Sequence, residues 1–98
     1  MDLEPEYAMV ITLRTRGEVY LNLKQYDYAL NDLDKALDIE PEDVRALRTR
    51  GEVYLNLKQY YDALNSINKA LDIEPEDAIT LRTREEIYHE LFFYNDDE

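Results

Sequence analysis

His89 is the single histidine of the 98-residue chain, and cysteine is absent. An imidazole can move protons near neutral pH, but catalysis needs a nucleophile or an orienting acid converging on it. His89 falls on an exposed turn of the last helical stretch, and no thiol exists to serve as its nucleophile. The missing cysteines also exclude disulfides and cysteine-ligated zinc. The densest set of hard oxygen donors is "DLDKALDIEPED", residues 32–43. A calcium loop of comparable length requires a ligand at its fifth place and glycine at its sixth, where this stretch has Ala36 and Leu37. Its acids therefore read as a solvated helix face followed by a capping turn. No catalytic residue, metal ligand or cofactor is expected, and the chain reads as no enzyme.

Composition narrows the partners. Hydrophobic residues make up 45% and charged residues 35%, which suits one folded domain with a modest core. The net charge of −12 disfavours nucleic acid and anionic membrane as partners. Residues 1–43 carry eleven acids and four bases, residues 44–77 six and five, and residues 78–98 six and two. The ends are thus acidic around a nearly neutral middle. The start "MDLEPE" lacks the basic and apolar regions of a signal peptide, and no apolar run is long enough to span a bilayer. A cytoplasmic location is the default expectation.

The elements come from a repeat. "LRTRGEVYLNLKQY" occurs at 13–26 and identically at 47–60, and residues 13–46 match 47–80 at 26 of 34 positions. A third copy begins at Leu81 and matches the first at seven of its first eleven positions, with Glu85 where Gly17 and Gly51 stand. A 34-residue period signals stacked repeats. Within it, Tyr26, Ala29, Leu30, Leu33, Ala36 and Leu37 form a helical apolar stripe, and Leu13, Gly17, Tyr20 and Leu23 form another. "LKQY" makes a short turn, while "DIEPED" ends one helix and starts the next, with proline in the first turn and acids at the positive helix end. The spacing predicts five helices, near 6–23, 27–39, 43–57, 61–73 and 77–93. The expected repeats are 10–43 and 44–77, followed by a capping helix 78–94 and an acidic tail 95–98.

These residues resemble the tetratricopeptide repeat, with its pattern W-x2-L-G-x2-Y…A-x3-F…P over 34 residues. The first copy supplies Leu13, Arg16, Gly17, Tyr20, Ala29, Leu33 and Pro41, and the second supplies Leu47, Arg50, Gly51, Tyr54, Ala63, Ile67 and Pro75. The resemblance implies an all-α, right-handed solenoid of antiparallel helix pairs, two and a half repeats long. Arg16, Arg50 and Arg84 replace an apolar residue, so their heads should snorkel to water or an acid, with Asp34 a candidate partner for Arg50. Glycine costs roughly 1 kcal/mol against alanine inside a helix, so Gly17 and Gly51 should mark close helix approach to the stripes of Ala29 and Ala63. With no partner helix after the third copy that reason lapses, and Glu85 gives the end a polar face.

The resemblance further implies that the first helices of successive repeats line a concave groove for an extended peptide or helix of a partner protein. The matching positions are Arg14, Glu18, Leu21 and Asn22; Arg48, Glu52, Leu55 and Asn56; and Ile79, Arg82, Glu86, His89 and Glu90. Arginine and glutamate stand four residues apart on each helix, a spacing that also forms ordinary ion pairs within a helix. A subgroup of the family clamps chaperone C-terminal carboxylates with lysine, asparagine and arginine. Glu18, Glu52 and Glu86, with Thr15, Thr49 and Thr83, break that clamp. A peptide-binding scaffold is the expected function, and the near-identity of the copies fits recent duplication or a designed array without a natural ligand. The other expectation is a self-assembly module joined through its ends, at most a weak homodimer, through Leu81, Tyr88 and Phe92 beside Glu85.

Overall fold

The computed structural model describes residues 5–94, except the side chain of Tyr94. Five α-helices follow in order: α1 (Pro5–Asn22), α2 (Tyr26–Ile39), α3 (Val44–Asn56), α4 (Tyr60–Ile73) and α5 (Ala78–His89). A short π-helical turn, Glu90–Tyr94, continues α5. The last helix thus stops being α-helical at His89, four residues before the predicted end. No strand occurs among the described residues. Helices α1 and α2 pair closely, as do α3 and α4, and α3 and α5 pack on the second helix of the pair before them. The result is an all-α helical-repeat solenoid measuring 57 × 28 × 18 Å. The acidic tail 95–98 lies outside the described residues.

Each repeat turns twice, by different chemistry. After α1 the chain reverses at Lys24, which takes the left-handed conformation at φ 63°, and after α3 Lys58 does the same at 64°. The Gln25 amide donates to the Tyr20 carbonyl at 2.8 Å and the Lys24 amide to that of Leu21 at 2.9 Å, so the last carbonyls of α1 are satisfied. Lys58 and Gln59 repeat this on Leu55 and Tyr54. The second turn places Pro41 in the connection, ahead of the N-cap Asp43, and not in the first helical turn. Asp43 accepts the Ala46 amide at 2.9 Å, an ordinary carboxylate cap. At α5 the equivalent Asp77 accepts the Thr80 hydroxyl instead, because Ala46 is replaced by Thr80.

The core is two stacked clusters. Ala29, Leu33, Leu37, Ala46, Leu47 and Val53 join the first repeat to α3, and Ala63, Ile67, Leu71 and Ile87 join α4 to α5. The glycines sit where expected. A Cβ on Gly17 would lie 2.8 Å from Leu33 Cγ, and one on Gly51 would lie 2.6 Å from Ile67 Cδ1. Both neighbours are fully buried, so neither can swing away into solvent. Glu85, the third equivalent, is exposed.

Candidate functional site

The first helices α1, α3 and α5 line one concave face. Its main hollow, about 410 Å³, is bounded by Leu21, Asn22 and Lys24 from the first repeat, Glu52, Leu55 and Asn56 from the second, and Ile79, Arg82, Thr83 and Glu86 from α5. A second hollow of about 380 Å³ continues it past Leu55 and Asn56 to Lys58, Tyr60, Glu86 and Glu90.

The charges in this face are not paired along the helices. Arg14 on α1 donates to Asp43, the N-cap of α3, at 2.8 Å, and Arg48 on α3 donates to Asp77, the N-cap of α5, at 3.0 Å. Both arginines therefore tie one repeat to the start of the next. Glu18 accepts two hydrogen bonds from Arg45, at 2.7 and 2.9 Å. The within-helix pairing allowed by the four-residue spacing is replaced by pairing across the repeat junction, since the neighbouring helix brings its partner closer. Arg82 makes no ion pair among the described residues.

Glu52 lies between these groups and makes no ion pair among the described residues. Burial pushes its carboxyl above the usual range, and the negative charges of Glu86 and Glu18 push the same way, against Arg48 and the Thr83 hydroxyl. Asp77 is shifted down, chiefly by the Thr80 hydroxyl and also by Arg48, against the cost of its desolvation. Asn56 is already oriented: its amide donates to the Glu52 carbonyl at 2.8 Å and its oxygen stands 3.5 Å from the Tyr26 hydroxyl.

The hollow thus gathers Leu21, Asn22, Glu52, Leu55, Asn56, Ile79, Arg82 and Glu86 of the residues singled out from sequence, while Arg14, Glu18 and Arg48 act at the repeat junctions. His89 is exposed and stacks on Phe93 with ring centroids 5.0 Å apart, away from the two hollows' linings. Lys24 and Thr83 were missed. Lys24 looked like plain turn filler, since no glycine or asparagine marked a left-handed residue, and Thr83 counted only as a lost clamp position. No cluster of acids and histidine suited to a metal ion occurs among the described residues. No described helix is long and apolar enough to cross a membrane.

A second ladder lies on the other side of the first helices. Arg16 donates through Nε and Nη2 to buried Asp32 at 2.7 and 3.0 Å, within its own repeat. Arg50 meets Ser66 at 3.0 Å within its repeat and reaches back to Asp34 at 2.9 Å, the partner expected for it. Arg84 reaches back to Asn68 at 3.1 Å. At the C-terminal end Tyr88 and Phe92 pack at 5.7 Å, with the Arg84 guanidinium 5.9 Å from the Tyr88 ring. Leu81 is half-buried against the α4 cluster, so it belongs more to the core than to an open end face.

Stacked antiparallel helix pairs with a concave face define a helical-repeat interaction module. The tetratricopeptide repeat model matches residues 17–87, and the chain belongs to that family. The solved Arabidopsis OM64 TPR domain superposes with a TM-score of 0.78 at 24% identity, over 81% of this chain and 65% of that one. The first TPR of Spaghetti (RPAP3), solved bound to the HSP90 peptide SRMEEVD, superposes at 0.80 with 21% identity, over 84% of this chain and 65% of that one. The chain spans about two thirds of the length of either structure. A search of curated proteins gave no match.

Proposed function

We propose that this chain is a non-enzymatic protein-interaction module whose concave face holds an extended segment of a partner protein, with a basic side chain of that segment beside Glu52. The single observation that carries this reading is the division of charge. Arg14 and Arg48 are committed to Asp43 and Asp77, whereas the half-buried Glu52 has no ion-pair partner among the described residues, in a hollow large enough for a side chain. A lysine or arginine entering there would neutralise a carboxylate already removed from water, where a charge-assisted hydrogen bond is strongest. Asn22 and Asn56 supply amide groups for the segment's backbone, and Leu21, Leu55 and Ile79 supply apolar contact. An acidic segment like the SRMEEVD seen on the Spaghetti domain would meet Glu52 and Glu86 where the basic side chain is proposed to sit, and within this hollow only Lys24 and Arg82 would suit it.

The reading is tested by titrating the protein with labelled peptides of one length that differ only at a central lysine, alanine or glutamate. The lysine peptide should bind tightest, and Glu52→Gln should weaken it about tenfold, the equivalent of about 1.4 kcal/mol. Binding should also fall on acidification, beginning at higher pH than for an ordinary glutamate because burial raises the Glu52 carboxyl. Equal or tighter binding of the glutamate peptide would refute the proposed polarity.

A further inference from the structure

The three first-helix copies carry one stripe in common, and only the first copy leaves it bare. In α3 the stripe is Ala46, Thr49 and Val53, which are 0%, 3% and 0% exposed beneath the second helix of the preceding repeat. In α5 the equivalents Thr80, Thr83 and Ile87 are buried in the same way. In α1 the equivalents are Thr12, Thr15 and Val19, all exposed, with Val19 at 49% and with exposed Ala8 and Leu23 extending the line at either end. These five residues are uncharged. The margin of the stripe holds Arg16, whose counterparts Arg50 and Arg84 reach back to Asp34 and Asn68 of the helix that covers them. Arg16 spends Nε and Nη2 on Asp32 and keeps a largely exposed side chain.

We propose that the α1 stripe is an interaction surface for the open side of α5 in a second copy of this chain, so that copies associate head to tail. The buried equivalents in α3 and α5 show that a helix laid on this stripe is its natural cover. The open side of α5 offers one: Tyr88 half-buried, Phe92 58% exposed, and the exposed carboxylate of Glu85. That carboxylate is the type of partner that Asp34 is for Arg50, so the contact sets an acid beside Arg16, a local match between two ends that are each acidic in sum. Two-fold pairing of α5 with itself would instead set Glu85 against Glu85. Head-to-tail contact leaves a free stripe at one end and a free α5 at the other, so it continues into longer species.

Sedimentation equilibrium of the full chain over a wide concentration range tests this, in low and high salt. The average mass should rise above the monomer's 11.7 kDa, and more so in high salt, because each copy carries a net charge of −12. Val19→Arg and Phe92→Glu, both at exposed positions, should each stay helical by circular dichroism and each be monomeric. Mixed, they should form a one-to-one pair that grows no further, since each retains the end the other lacks. A wild type monomeric at all concentrations and salts overturns the proposal. So does association that survives Val19→Arg, which would mark pairing of α5 with itself or another surface, and so does a mixture that forms no pair.

Discussion

Glu52 gives the molecule a pH signature. Its folded carboxyl is raised above the unfolded value, mainly by burial. A raised carboxyl contributes stability that is fully present below the unfolded pKa and lost as pH rises through the folded one. Glu52→Gln should therefore be more stable than wild type at neutral pH, and the difference should vanish below about pH 4, where an unfolded glutamate is protonated. Thermal melts of both proteins across that range check it, and a difference that persists in acid would assign the effect to packing. Neither this burial nor the Arg14–Asp43 and Arg48–Asp77 pairs could be read from sequence. Each pair joins residues 29 apart, across a helix and two turns, whereas the arginine–glutamate spacing within a helix is visible on the page. The Arg50–Asp34 pair was legible, because an arginine at an apolar repeat position needs an acid on the neighbouring helix.

Helix pairing was legible for a similar reason, since a glycine inside a strong helix former has few explanations. Gly51 meets the buried Ile67 side chain at a distance that no added Cβ can keep. Gly51→Leu should force α3 from α4 and cost about 1–3 kcal/mol through overpacking. Glu85→Leu at the equivalent place is exposed, faces no second helix among the described residues and should leave the melting temperature nearly unchanged. Comparable losses in both variants would show that Glu85 also sits in a packed contact. The turns between the pairs were legible only as turns. Lys24 and Lys58 take a conformation that costs a non-glycine residue about 1–2 kcal/mol, and lysine gives no hint of it. The π-helical turn that follows His89 was equally silent, since "ELFFY" reads as plain helix.

The molecule as a whole is elongated. Its radius of gyration is 14.0 Å, against about 12.6 Å for a compact chain of this length. Stability then sums over neighbouring contacts, and opening should start at the ends. The two junctions differ. Three ion pairs cross from the first repeat to the second, Arg14–Asp43, Arg45–Glu18 and Arg50–Asp34, whereas Arg48–Asp77 alone crosses to α5 among the described residues. Isoleucine 79 stands in place of Arg45, and Asn68 in place of Asp34. Amide hydrogen exchange should therefore be fastest in α5, by local opening, and slowest in α2 and α3, which have neighbours on both sides. Uniform protection along the chain would mean that all five helices open only together. The fold was legible because period and stripe repeat, while this inequality rests on a few of the eight positions where the copies differ.

Those unequal junctions also give the molecule a mechanical polarity. A pull along its long axis loads the two joints in series, and the joint with fewer charged ties yields first. Helix α5 then works as a releasable end piece, while the first repeat and α3 hold as one stiff block. Because Arg48 both forms the tie to Asp77 and acts by its charge on Glu52 in the hollow, anything that draws Arg48 away from Asp77 slackens that joint. Tension on the joint, in turn, would change the shape of the hollow shared by Glu52 and Arg82.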